Sequence, residues 1–98
     1  MKRIAHYSPP SAADLARLKS DLNFTSPQMA DLTGLAHGAH WRKYTGGNTP
    51  RELGMQMHFY LAALLTLSED ELARVAETMR EQGAEIELGP LPAGPIRK

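Results

Sequence analysis

The 98-residue chain contains no cysteine. That excludes disulfides, thiolate zinc sites and a cysteine nucleophile together, and it suits a reducing cytoplasm, the compartment expected here. Long apolar runs are also missing. The most apolar stretch, "FYLAALLTL" from Phe59 to Leu67, is about half the ~20 residues that a bilayer-spanning helix needs, so no membrane partner is expected. "MKRIAHYSPP" begins basic but has no apolar segment behind it, and does not read as a secretory signal. The length fits one domain with a modest helical core.

Net charge is absent too: eleven Lys and Arg balance eleven Asp and Glu. A neutral total argues against nucleic acid, but the distribution does not. Residues 1–51 carry seven basic residues (Lys2, Arg3, Arg17, Lys19, Arg42, Lys43, Arg51) against Asp14, Asp21 and Asp31, a net of +4. Residues 52–98 carry eight acids against Arg74, Arg80, Arg97 and Lys98, a net of −4. A chain polarised in this way can turn its basic half toward phosphates. Charge alone is equally compatible with two ordinary solvated surfaces.

Punctuation divides the chain into an N-terminal arm (1–10), a helical domain (11–82) and a Gly/Pro-rich C-terminal extension (83–98). Ser11, with Asp14 three residues on, caps a first helix striped by Leu15, Leu18 and Leu22. Ser26 reads as the N-cap of a second helix with Pro27 at its first position, and Gly34 stops it. A third short helix holds "HGAHWRKYT" and ends at Gly46-Gly47. The fourth has two possible starts: Pro50, within the box Thr49-Pro50-Arg51-Glu52, or Met55 after Gly54. From either start Met57, Leu61, Leu64 and Leu65 share a face. Ser68 to Glu71 is another capping box, opening a fifth helix whose Leu72, Val75, Ala76 and Met79 are expected to pack inward until Gly83 closes it. "AEIEL" alternates like one short strand.

The chemistry-bearing residues crowd into "TGLAHGAHWRKYTGGNTP", Thr33 to Pro50. His37 and His40 share a helical face at i, i+3, but no third ligand is near in sequence, and two ligands do not make a selective metal site. No nucleophile stands at a telling distance from a base, and "TGGNTP" lacks the Lys-Ser/Thr that completes a phosphate-binding loop. Neither an enzyme nor a cofactor is expected. His58 reads as a partly buried core histidine.

Two short helices joined by a Gly-containing turn within five helices form a helix-turn-helix arrangement. In the third helix Trp41 and Tyr44 lie on one face and carry enough apolar area to anchor it. With that face inward, Ala39, Arg42, Lys43 and Gly46 point outward and His40 lies at the flank. Gly38 and Ala39 are small enough for close entry into a major groove. Ala39 then suits a thymine methyl group, and Arg42 or Lys43 suits guanine O6 and N7. His37 and His40 suit base edges or phosphates. Thr45, Asn48 and Arg51 fall in the loop that grips phosphate, while Ser26 and Gln28 face the backbone on the other side.

"TSPQMADLTGLA", Thr25 to Ala36, resembles the helix-turn entry of the lambda-repressor-like (Cro/cI, XRE) family: Met29-Ala30 match its Leu-Ala, and Gly34-Leu35 match its turn pair. "LAALLTLSEDEL", Leu61 to Leu72, resembles that family's fourth helix and the start of its fifth. The resemblance covers residues 12–80. It departs in two places: the turn before the third helix carries one extra residue, and the link after that helix is about three residues longer. The resemblance implies an all-α, five-helix domain that binds double-stranded DNA and regulates transcription, as a homodimer on a pseudo-palindromic operator. A second reading stays open. "FYLAALL" and five methionines also suit a protein-interaction module, or an antitoxin using the same fold, with the acidic, Gly/Pro-rich end from Gly83 as the segment that would hold a toxin.

Overall fold

Ser11 opens the first helix as the sequence predicts. Its hydroxyl accepts the Asp14 backbone N–H at 3.0 Å, and the Asp14 carboxylate accepts the Ser11 N–H at 3.1 Å. These contacts hold the Asp14 carboxyl below its ordinary value, the Ser11 backbone N–H acting most strongly. In the computed structural model, which describes residues 2–90, α1 runs Ala12–Leu22 and ends at Asn23 in the left-handed conformation, φ 59°. Then come α2 (Ser26–Thr33), α3 (Gly38–Thr45), α4 (Met55–Thr66) and α5 (Glu69–Glu81). The described residues are all-helical with no strand. None of their helices is long and apolar enough to cross a membrane.

The cap of α2 lies one residue earlier than expected. Thr25, not Ser26, holds the Gln28 N–H at 3.3 Å, and the Gln28 side-chain oxygen accepts the Thr25 N–H at 2.8 Å. Thr25-x-x-Gln28 completes a reciprocal box, which Ser26-x-x-Met29 cannot, and this decides the register. Pro27 still falls where an N–H has no intrahelical partner. Gly34 ends α2 at φ 77°, and the N–H of Leu35 closes the turn on the Ala30 carbonyl at 2.8 Å.

The fourth helix takes the later start, at Met55 with Gly54 as its cap. The box Thr49-Pro50-Arg51-Glu52 stays non-helical because Leu53 is pulled into the core, 1 % exposed, and Gly54 is then a boundary rather than a mid-helix liability. Two bonds pin this loop: Arg51 N–H to the Lys43 carbonyl at 2.8 Å, and the Tyr7 hydroxyl to the Leu53 carbonyl at 2.7 Å. Because that hydroxyl donates to Leu53, its 3.2 Å contact with His58 Nδ1 has the ring nitrogen as donor. His58 is half-buried, as expected.

α3 packs against both α1 and α2, and α4 packs against α2. The core between them gathers Leu15, Leu22, Phe24, Met29, Ala30, Leu32, Trp41, Tyr44, Leu53 and Leu61, with Met57, Leu64 and Leu65 partly buried against it. α5 departs from expectation. Its Ser68–Glu71 box forms, but only Leu72 and Ala76 are buried; Val75 is 48 % exposed and Met79 38 %. The stripe is wider than the surface that the other four helices offer it. "AEIEL" forms no strand, since a lone strand has no ladder partner. Its backbone turns back instead, with Ala84 N–H on the Met79 carbonyl and Arg80 donating to the Ile86 carbonyl at 3.1 Å. The last part of the extension, residues 91–98, lies outside the described residues, as does Met1.

Candidate nucleic-acid interface

The rotational phase of α3 follows from its two aromatics. Trp41 is fully buried and Tyr44 nearly so, with ring centroids 6.2 Å apart. Ala39, Arg42, Lys43 and Gly46 are consequently exposed, and His40 is half-buried at the flank. The Trp41 indole N–H is buried without a hydrogen-bond partner among the described residues, so the ring is held by packing alone.

Gly38 corrects the reading of the small residues. It is buried, and a Cβ placed on it would lie 2.9 Å from the Pro27 nitrogen and 3.1 Å from the Ser26 carbonyl carbon. It therefore faces α2 rather than a groove. Its missing side chain lets the N-terminus of α3 abut the N-terminus of α2. Ala39 alone keeps the outward small-residue role.

This abutment brings Ser26 close to the start of α3. Ser26 is half-buried, and the Gln28 side-chain oxygen accepts the capping bond from Thr25. His37, the N-cap of α3, makes no side-chain capping bond. Its ring lies 4.1 Å from that of His40, inclined at 34°.

The electrostatics place the remaining residues together. The His40 imidazole titrates below its ordinary value, first because its ring is desolvated, then through repulsion by His37, Lys43 and Arg51. Every charged neighbour acting on it is basic. Arg51 joins this patch through its backbone bond to Lys43, although eight residues separate the two in sequence. Gly47, at φ 83°, lets the loop double back, and Asn48 is exposed on it. Thr45 is half-buried, its hydroxyl donating weakly to the Arg42 carbonyl at 3.5 Å.

The outer edge of α3, its N-terminal histidines and the returning loop thus form one basic ridge. Sequence reasoning missed Thr25 as the cap beside it and the Arg51–Lys43 tie. The first was visible in Gln28 at the third position. The second is a tertiary backbone contact with no local signature. Among the described residues no group of three or more His, Asp or Glu is placed to hold a metal ion. No family model, curated protein or solved structure matches the chain.

Proposed function

We propose that this chain is a sequence-specific DNA-binding protein of the lambda-repressor-like helix-turn-helix class. It acts as a small cytoplasmic transcriptional repressor, binding a pseudo-palindromic operator as a homodimer. The observation that carries this reading is the phase of α3: Trp41 and Tyr44 are buried, while Ala39, Arg42 and Lys43 are exposed on a helix backed by α2. A helix held rigidly from behind, with a small residue and two cations in front, suits a major groove of about 12 Å width.

The roles divide by chemistry. Arg42 and Lys43 donate to guanine O6 and N7, and Ala39 meets a thymine methyl group. Arg51, Asn48 and Thr45, with His37 and His40 at the other end, contact phosphates and set the register. Ser26 and Gln28 flank the opposite strand. The acidic α5 stays away from the duplex.

The test is binding to DNA from the protein's own upstream region, measured by fluorescence anisotropy across salt concentrations. Affinity falls steeply, with a log–log slope of about −0.9 per phosphate neutralised, and exceeds that for scrambled DNA. Salt-independent binding, or none, sinks the reading.

One observation favours a protein partner instead. On α4 Phe59 is 65 % and Tyr60 48 % exposed, and Phe59 borders a cavity of about 230 Å³ with Ile4, Tyr7, Met55, His58 and Ala62. Apolar exposure of this kind marks interaction surfaces. Under this reading the chain is an antitoxin or interaction module, and it co-purifies with the product of an adjoining gene.

A further inference from the structure

We propose that Tyr7 is a positioning residue for the basic ridge: its hydroxyl, through the Leu53 carbonyl, holds Arg51 beside Lys43. The consequence for DNA rests on the DNA-binding reading above; the contact itself does not.

The link from α3 to α4, residues 46–54, has little to hold it. Gly46-Gly47 open it and Gly54 closes it, so its middle takes little direction from either helix. Its exposed side chains Asn48, Thr49, Arg51 and Glu52 make no hydrogen bond or ion pair among the described residues. The backbone is tied instead. Arg51 donates its N–H to the Lys43 carbonyl at 2.8 Å, and the Leu53 carbonyl accepts the Tyr7 hydroxyl at 2.7 Å.

The Leu53 side chain, 1 % exposed, fixes where the link enters the core but not how its peptide is turned. The hydrogen bond at its carbonyl supplies that direction. Only Glu52 stands between the two tied residues. Turning the Leu53 peptide therefore moves the Arg51 N–H against its acceptor.

Tyr7 can set this direction because the arm is itself braced. Pro9-Pro10 stiffen the chain between Tyr7 and the Ser11 cap of α1, and α1 packs on α3. Ile4 and Tyr7 line a cavity of about 230 Å³ with Met55, His58, Phe59 and Ala62 of α4. His58 donates from Nδ1 to the Tyr7 oxygen at 3.2 Å, and the two rings meet edge to face, centroids 5.8 Å apart. With a donor behind it and an acceptor ahead, the Tyr7 hydroxyl has one direction, toward Leu53. Contacts thus run from α1 through the arm to Leu53, Arg51 and Lys43, on the exposed edge of α3. A phosphate contact from Arg51 gains from this bracing, since a side chain on an untied loop loses binding energy to ordering.

The experiment compares the full chain with Tyr7→Phe, Arg51→Ala and the double variant, each shown to fold by a circular-dichroism melt. Amide hydrogen exchange, read by NMR, needs no DNA. In Tyr7→Phe the Arg51 N–H exchanges about three- to tenfold faster, the loss expected of one net hydrogen bond. The Leu35 N–H, bonded to the Ala30 carbonyl at 2.8 Å, is the control for global loosening and changes clearly less. DNA binding is then measured across salt concentrations. Tyr7→Phe weakens affinity by about three- to tenfold and lowers the log–log salt slope by about 0.9, the share of one phosphate. Arg51→Ala lowers the slope equally. On that background Tyr7→Phe adds less than about twofold and leaves the slope alone, because both act through one contact.

An Arg51 amide that exchanges no faster, or that accelerates only as much as Leu35, overturns the proposal. So do an unchanged DNA affinity in Tyr7→Phe and losses that multiply in the double variant. If the parent binds no DNA, the DNA-binding reading falls and the exchange comparison alone decides whether Tyr7 holds Arg51. If the parent binds DNA and the Arg51 amide is unmoved by Tyr7→Phe, the positioning role falls and the DNA-binding reading stands.

Discussion

Gly38 sits against Pro27 so closely that a Cβ would come within 2.9 Å of the Pro27 nitrogen. Two helix N-termini meet at that point, and their separation sets how α3 is presented on α2. Gly38→Ala is expected to destabilise by about 1–3 kcal/mol through overpacking, because the obstacle is backbone and cannot rotate away. The higher helix propensity of alanine offsets part of this, at most ~1 kcal/mol. Gly46→Ala is the control, since its Cβ would meet only the Arg42 carbonyl at 3.5 Å. Thermal melts decide the matter: equal melting temperatures for both variants would show that the contact is slack.

Trp41 separates anchoring from reading. Trp41→Ala should lose about 3–5 kcal/mol, as for other buried large aromatics. Trp41→Phe should lose clearly less, because it keeps most of the buried area and removes an indole N–H that has no hydrogen-bond partner among the described residues. Arg42→Ala and Lys43→Ala are exposed changes and should leave urea midpoints almost unmoved while weakening DNA binding. If Trp41→Ala unfolds nothing and abolishes binding alone, the ring acts at the DNA despite its burial.

Much of this was legible because it is local. The reciprocal boxes at Ser11 and Ser68, the stop at Gly34 and the inward pair Trp41–Tyr44 are each written within a few residues, and each forms as read. Apart from the cap of α2, what went astray depended on a distant neighbour. Gly38 read as a groove-facing residue, since only the position of Pro27 assigns it to packing. Val75 and Met79 read as core because their spacing is right; periodicity gives a face but not whether anything covers it. The Pro50 start was refused by the burial of Leu53, which no local propensity encodes.

Tyr7 fastens the arm to the loop that precedes α4. Tyr7→Phe leaves the Leu53 carbonyl without its 2.7 Å bond and should destabilise by about 0.5–1.5 kcal/mol. The Tyr7 hydroxyl titrates above its ordinary value, chiefly through burial and then through the charge of Glu52. A raised folded-state value means that this contribution is fully present below the unfolded tyrosine pKa and is lost as pH rises through the folded one. Urea titrations into the alkaline range should show a parent-specific loss that Tyr7→Phe lacks. Parallel curves for the two proteins would remove Tyr7 from the account.

His40 couples the ridge to pH in the opposite range. Desolvation, with repulsion from His37, Lys43 and Arg51, depresses its folded-state value. The unfolded chain therefore takes up the proton first. Stability from this group is complete above the ordinary imidazole value and falls as pH drops through the depressed folded value. Phosphate beside the ring reverses the preference, since an adjacent anion favours the imidazolium. DNA binding should then be accompanied by proton uptake, and affinity should rise on acidification even as the free protein loses stability. Calorimetric titration in two buffers of different ionisation enthalpy measures the uptake directly. His40→Gln should abolish most of it. An uptake unchanged in His40→Gln would place this imidazole away from the phosphates and move the contact to the Arg51 side of the ridge.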